Sequence, residues 1–199
     1  MKNIQLFKPK FRTEECLEEI RECLDKGWTG LGFKTVQLEE EWKKYTGLQH
    51  AHYLCSATAG LDLAVNIFKE EFGWEEDDEI ITTPLTFVST NHAILYNNLK
   101  PVFADVDEYL CLDPESIRSR ITDKTKAVIF VGLGGSTGRL SEVEKICREN
   151  GLKLILDASP ASISTIITFL SATTLSTSAS LLRFWKDVEH TFILSPRST

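Results

Sequence analysis

Glycine is missing from the last quarter of this 199-residue sequence. All 11 glycines lie between Gly27 and Gly151, and the final 48 residues contain none. Charge is also scarce there: residues 159–199 contain two acids and three bases, but 16 Ser or Thr. The other 27 acids precede Ser159. The composition therefore changes sharply near residue 159.

The sequence has no hydrophobic run of the roughly 18 residues that a membrane-spanning helix needs. Its first ten residues alternate polar and apolar types and include Pro9, so they lack the apolar core of a signal peptide. The formal net charge of -7 disfavours a nucleic acid or an anionic membrane as partner, because both need a clustered basic surface. We therefore expect a globular protein of the cytoplasm.

The cysteines form no CxxC pair and have no histidine at metal-ligand spacing. Because their number is odd and cytoplasmic thiols stay reduced, we expect them to be free and mostly buried, with no metal site. They are Cys16, Cys23, Cys55, Cys111 and Cys147.

Hydrophobic periodicity predicts helices and strands that alternate along most of the chain. Helices are predicted over 14–26, 34–45, 58–71, 87–96, 114–121 and 140–150, with N-caps at Thr13 and Asp113. Strands are predicted over 52–55, 79–82, 101–105, 127–131 and 152–156. The runs AVIFV and LKLIL have no polar face, which is typical of a parallel sheet covered on both sides. The expected fold class is α/β.

Ligands of such sheets bind at the carboxyl ends of the strands. Residues 55–61, CSATAGL, form a turn of small residues before a helix, where free amides and the helix dipole can bind a phosphate. The same Ser and Thr can equally act as plain helix caps.

Asp157 follows an apolar strand, where a carboxylate is costly unless it meets a cation or a hydrogen-bond donor. It is either a cap or structural ion pair, or the partner of a protonated cofactor ring such as that of pyridoxal phosphate. Phe87 begins a helix on the same rim. It either stacks on such a ring or fills the core.

Five collinear segments resemble blocks of the DegT/DnrJ/EryC1/StrS family of pyridoxal-phosphate sugar aminotransferases. They are CSATAGL at 55–61, DEII at 78–81 with TFVST at 86–90, KPVFADVD at 100–107, ITDKTKAV at 121–128, and LILDAS at 154–159. An N-terminal segment with GWTG at 27–30 and YTG at 45–47 is also similar. The resemblance runs from about residue 5 to residue 159.

The resemblance implies a fold-type-I large domain with pyridoxal 5'-phosphate as cofactor. It implies amino-group transfer from an amino-acid donor to a nucleotide-linked keto-sugar, for surface polysaccharide or lipopolysaccharide synthesis, by an enzyme that is a homodimer when intact. Ala57, which replaces the family's Gly, and Thr58 would hold the cofactor phosphate. Phe87 would stack on the pyridine ring, and Asp157 would pair with the ring nitrogen.

The family's Ser-Phe-x-x-x-Lys motif, whose lysine binds the cofactor covalently, is missing, so no catalytic residue is identified. Lys186 lies 29 residues after Asp157 and is a candidate by spacing alone, in the unrelated context RFWK. Some relatives are dehydratases with His at the lysine position. His190 lies near Lys186, but the residues around it do not match that motif.

We expect residues 1–158 to be the N-terminal part of the large domain, without the small C-terminal domain, and 159–199 to be a divergent Ser/Thr-rich tail read in a shifted frame. The rival is a genuine lineage-specific ending in which 163–170 and 181–185 pack as strand or helix. Such a truncated chain should transaminate slowly or not at all. The alternative function is a non-catalytic fragment that binds a partner or a nucleotide-sugar without turnover. A third possibility is an unrelated doubly wound binder of small molecules.

Overall fold

The computed structural model describes residues 11–28, 30–48, 50–159 and 167–170. Within these residues the helices are α1 (Thr13–Asp25), α2 (Phe33–Thr46), α3 (Ala57–Phe72), α4 (Val88–Tyr96), α5 (Pro114–Arg120) and α6 (Leu140–Glu149). The strands are β1 (Glu79–Thr82), β2 (Lys100–Phe103), β3 (Thr125–Val131), β4 (Lys153–Asp157) and β5 (Ile167–Leu170). The predicted α/β class is therefore confirmed.

The described strands form one sheet in the order β2-β1-β3-β4-β5. The first four are parallel, and β5 pairs antiparallel with β4. Val131 at the end of β3 is in register with Asp157 at the end of β4. Because parallel strands end at the same edge, the loops after β1, β2 and β3 and the Asp157 side chain share the carboxyl edge of the sheet.

The core lies in two layers, one on each face of the sheet. Val128 and Phe130 of β3 pack with α5 and α6, whereas Ala127 and Ile129 pack with α3 and α4. This alternation explains why the β3 sequence has no polar face, since both of its sides are buried. Ile155 of β4 packs on the side of α3 and α4. Asp157, two residues further along the same strand, is on the same side.

Helices α3 and α4 are fastened together at the C-cap of α4, Asn97. Its Nδ2 donates to Oδ1 of Asp62 at 2.9 Å, and its Oδ1 accepts from Nδ2 of Asn66 at 3.1 Å. Lys69 Nζ donates to the Asn97 carbonyl at 2.7 Å. Both helices lead back toward the amino ends of the strands that follow them. Their N-termini therefore lie toward the carboxyl edge.

Two local predictions are wrong. Residues 52–55 are not a strand: they pair with no strand in the described part of the chain, and the amide of Tyr53 donates to Oε1 of Glu39 at 2.8 Å. Thr13 is the first residue of α1 and not its cap. Glu14 and Glu15 lie in that first turn, where their charges favour the helix end without a capping hydroxyl. The predicted cap at Asp113 is confirmed, since its Oδ1 accepts from the Glu115 amide at 3.2 Å.

Helix α1 buries none of its residues. Leu17, Ile20 and Leu24 share the predicted apolar face, but they are 48%, 55% and 63% exposed. Lys34 of α2 holds α1 through ion pairs with Glu19 and Glu22.

The five cysteines are free, as predicted, but only Cys111 and Cys147 are buried. Cys16 and Cys55 are exposed and Cys23 is half-buried. The expectation of mostly buried thiols is therefore wrong, because α1, which carries Cys16 and Cys23, lies on the surface of the described structure.

Candidate functional site

The carboxylate of Asp157 lies at the carboxyl edge of the sheet and is 2% exposed. Its Oδ2 accepts a hydrogen bond from Oγ1 of Thr90 at 2.7 Å. Its Oδ1 accepts from the amide of Ser159 at 3.0 Å and from the Ser159 hydroxyl at 2.5 Å. These donors offset part of the free energy lost when the charged group leaves water.

No Lys, Arg or His side chain of the described residues lies within ion-pair distance of Asp157. The reading of Asp157 as a structural ion pair therefore finds no support within that part of the chain. A buried carboxylate that has hydrogen-bond donors but no cation fits a ligand with a protonated nitrogen.

Phe87 is the N-cap residue of α4, three positions before Thr90. Its side chain is 70% exposed, so it does not fill the core of the described structure. The amide of Thr90 donates to the carbonyl of Phe87 at 3.1 Å. The first turn of α4 therefore carries both an exposed aromatic ring and the hydroxyl that binds Asp157.

The predicted turn at 55–61 begins α3. Ser56 is the N-cap, and its hydroxyl accepts from the amide of Ala59 at 3.1 Å. Ala57 and Thr58 are the first two residues of the helix, where amide N–H groups have no carbonyl partner within the helix. Thr58 is exposed, whereas Ala57 packs against the core. The cap and the anion site are therefore compatible, because Ser56 takes up only one of the free amides.

The glycine-rich loop after β3, residues 132–138, borders Asp157. The amide of Gly132 donates to the Asp157 carbonyl at 3.0 Å. Further along, Gly138 has a φ of +43°, and a Cβ placed there would lie 2.6 Å from Cβ of Cys111. The thiol of Cys111 donates to the carbonyl of Ser136 at 3.6 Å. The loop is thus held against the segment that follows β2.

The sequence profile of the DegT/DnrJ/EryC1/StrS aminotransferase family matches residues 11–167. The chain belongs to this family. The match includes the turn at Ala57 and Thr58, the loop at Phe87 and the end of β4 at Asp157, and it runs eight residues past the last motif recognised in the sequence.

Two curated relatives of the family extend the comparison. The spore coat polysaccharide biosynthesis protein SpsC of Bacillus subtilis (strain 168) is 37% identical over 153 residues, which are 76% of this chain and 38% of SpsC. Protein MJ1066 of Methanocaldococcus jannaschii is 39% identical over 162 residues, 78% of this chain and 40% of that protein. The chain thus spans about two-fifths of the length of these relatives.

Solved structures of aminotransferases and a dehydratase share the fold. PseC of Helicobacter pylori, an aminotransferase of pseudoaminic acid biosynthesis, superposes with a TM-score of 0.71 at 26% identity, covering 79% of this chain and 42% of PseC. DesI, solved with its TDP-sugar product, has a TM-score of 0.65 at 31% identity, covering 76% and 38%. The GDP-4-keto-6-deoxy-D-mannose-3-dehydratase of E. coli, with bound hydrated PLP, has a TM-score of 0.74 at 25% identity, covering 83% and 43%. The fold is that of fold-type-I PLP aminotransferases.

Sequence reasoning missed the hydroxyls around Asp157. Thr86 and Thr90 stand in the segment TFVST, and Ser159 in LILDAS, but no role was predicted for any of them. The available signal was the spacing of Thr86 and Thr90, four residues apart around a helix start.

Lys186 and His190 lie outside the described residues. Across the described ranges, no cluster of His, Cys, Asp and Glu suits a metal ion, and no helix is long and apolar enough to cross a membrane.

Proposed function

We propose that this chain carries the cofactor site of a pyridoxal-phosphate-dependent aminotransferase that acts on a nucleotide-linked keto-sugar. The observation that carries the proposal is the buried carboxylate of Asp157 at the carboxyl edge of the sheet, which hydroxyl and amide donors hold and which no cation of the described residues pairs with. When bound, pyridoxal phosphate supplies a protonated ring that withdraws electrons from the reacting carbon.

Each part of that cofactor has a matching group in the chain. Asp157 would face the ring nitrogen, and a carboxylate there would keep the nitrogen protonated. The amides of Ala57 and Thr58, with the positive end of the α3 dipole, would hold the phosphate. Phe87 would lie against the ring face, which its exposed position at the α4 cap allows.

The names of relatives support a sugar substrate. SpsC is named for polysaccharide biosynthesis, DesI was solved with a TDP-sugar, and the E. coli dehydratase acts on a GDP-linked keto-sugar. We propose a substrate of the same class, an amino acid as the amino donor, and a second copy of the chain as partner. The proposed setting is a pathway that makes surface polysaccharide sugars.

The covalent attachment of the cofactor is a separate part of the proposal. We propose that residues 1–158 belong to the large domain and that 159–199 form a distinct tail. Lys186, in that tail, is the candidate for the attaching lysine by its spacing from Asp157. If no lysine of the chain attaches the cofactor, the chain is a binder of cofactor and nucleotide-sugar without turnover.

Titration of the purified full chain with pyridoxal phosphate, followed by tryptophan fluorescence and cofactor absorbance, tests the binding site. We expect saturable binding that Asp157→Asn weakens about tenfold, a loss of about 1.4 kcal/mol. Asp123→Asn is the matched control, because Asp123 is exposed and lies before β3, at the opposite edge of the sheet. Equal binding by wild type and Asp157→Asn would overturn the proposal.

Borohydride reduction of the loaded protein tests the attachment. A trapped adduct that disappears in Lys186→Ala would assign the lysine and support the aminotransferase. Saturable binding without a trapped adduct would favour the non-catalytic binder.

A further inference from the structure

The hydroxyls of Thr86 and Thr90 form a directed chain of hydrogen bonds that ends at the carboxylate of Asp157. Oγ1 of Thr90 donates to Oδ2 of Asp157 at 2.7 Å, and Oγ1 of Thr86 lies 2.8 Å from Oγ1 of Thr90. A hydroxyl has only one proton to donate. Because Thr90 gives its proton to the carboxylate, it must accept from Thr86, so the order is Thr86 to Thr90 to Asp157.

Two separate elements donate hydrogen bonds to the Asp157 carboxylate from two directions. Helix α4 supplies Thr90 to Oδ2, and the segment after β4 supplies the amide and hydroxyl of Ser159 to Oδ1. Two oxygens fixed from different sides define the plane of the carboxylate. Ser159 is only two residues from Asp157, so it moves with the end of the strand. Thr90 is the contact that ties the carboxylate to the opposing helix.

Thr90 also belongs to the turn that presents Phe87. Thr86 precedes Phe87 in sequence, and the Thr90 amide donates to the Phe87 carbonyl at 3.1 Å. Thr90 is fully buried, whereas the Phe87 ring is exposed. One helical turn thereby joins the backbone of Phe87 to the hydroxyl that binds Asp157.

We propose that Thr90 is a positioning residue: its hydroxyl, oriented by that of Thr86, holds Asp157 in the orientation in which the carboxylate meets a protonated ring nitrogen. This inference rests on the proposed function, since the nitrogen is that of pyridoxal phosphate. Within a buried site each polarised hydrogen bond strengthens the next, so Thr86 contributes through Thr90 without touching the carboxylate.

Two measurements separate this role from a merely structural one. In the full chain without cofactor, three-bond NMR couplings report the rotamer of Asp157. With bound ¹⁵N-labelled pyridoxal phosphate, the ring-nitrogen shift reports its protonation. Thr90→Val should let the rotamer average, move the ring shift toward the unprotonated value and weaken binding about tenfold, while Thr90→Ser should restore all three. Thr86→Val should weaken binding about twofold to threefold.

The outcomes distinguish the two proposals. If wild type does not bind pyridoxal phosphate, the proposed function fails, and the rotamer measurement still decides the role of Thr90. If Thr90→Val keeps one Asp157 rotamer and the wild-type ring shift, the positioning role is wrong. Should Thr90→Val not fold, Thr86→Val tests the same chain of hydroxyls, and wild-type affinity and ring shift in that variant would overturn the inference.

Discussion

The hydroxyl of Thr90 lies 2.7 Å from Oδ2 of Asp157, although 67 residues separate the two positions in sequence. The contact joins the first turn of α4 to the end of β4, and both groups are buried. It brings the first turn of α4, which Phe87 caps, next to the Asp157 carboxylate. The parallel pairing of β1 with β3 and of β3 with β4 makes the contact possible, because it brings the ends of these strands to one edge.

Removal of the Thr90 hydroxyl should also reduce the stability of the protein without cofactor. Thr90→Val leaves a buried carboxylate oxygen without its donor, at a cost of about 1–3 kcal/mol in the free energy of unfolding. Thr58→Val is the matched control, since Thr58 is exposed, and it should change that free energy by less than about 0.5 kcal/mol. Urea unfolding of the three proteins measures the difference, and equal midpoints would contradict the prediction.

Glu79 should make stability depend on pH. A hydrogen bond from Thr122 at 2.6 Å and the ion pair with Lys100 at 2.9 Å lower the pKa of Glu79 from its ordinary value of 4.5, with Lys124 adding a smaller effect. Because the folded pKa is depressed, this stabilisation is fully present above the ordinary pKa and is lost as the pH falls through the folded pKa.

Urea unfolding of wild type and Glu79→Gln at several pH values tests this expectation. The variant should be less stable by about 1–3 kcal/mol near neutral pH, and the difference should shrink in acid. Glu70→Gln, at an exposed position, should lie within about 0.5 kcal/mol of wild type near neutral pH. A difference between wild type and Glu79→Gln that stays constant into acid would show that the carboxylate is not stabilised in this way.

Gly138 and Gly134 allow a paired test of the glycine loop. Both have a positive φ, of +43° and +61°. A Cβ on Gly138 would lie 2.6 Å from Cβ of Cys111, whereas one on Gly134 would meet nothing within 4 Å. Gly134→Ala should therefore lower the free energy of unfolding only by the backbone strain, about 1 kcal/mol. Gly138→Ala should lower it by at least about 1 kcal/mol more, because the added methyl group overpacks against Cys111. Equal decreases in the free energy of unfolding, measured with urea, would mean that the loop moves to accommodate the added methyl group.

The cysteines should differ in reactivity according to burial. Burial raises the pKa of the Cys147 thiol to about 12, and burial also raises that of Cys111. Because the thiolate is the reactive form, we expect iodoacetamide near pH 8 to alkylate the exposed Cys16 and Cys55 and to spare Cys111 and Cys147 in the folded protein. Peptide mass spectrometry identifies the modified sites. Alkylation of Cys147 as fast as Cys16 would place it at the surface.

The elements that were predicted correctly from the sequence are those whose burial follows from the residue types of the element itself. Strands β3 and β4 are buried on both faces, and their uninterrupted apolar runs show it directly. The segment 52–55 also reads as a strand, but a strand needs a neighbour to pair with, and that neighbour is not encoded locally. Likewise, the periodicity of α1 predicts an apolar face correctly and says nothing about what covers it.

The site residues likewise divide into those that local motifs identify and one that depends on a distant contact. The matched motifs contain Asp157, Phe87 and Thr58, and the structure places Asp157 at a strand end and the other two at helix starts. Thr86 and Thr90 have the spacing of helical neighbours, but that spacing alone does not single out Thr90, because a threonine near a helix start is ordinary and its importance comes from a contact 67 residues away. Only the fold brings that partner within hydrogen-bonding distance.

The unburied position of α1 has a consequence for local opening. A helix of this length is marginal in water by itself, and α1 has no side chain in the core to hold it. Its backbone amides should therefore exchange hydrogen with solvent through local fraying. The amides of Phe130 and Ile129 in the central strand should exchange only when the whole sheet opens. Protection against exchange is expected to rise from the N-terminal helix toward the strand that anchors both layers of the core.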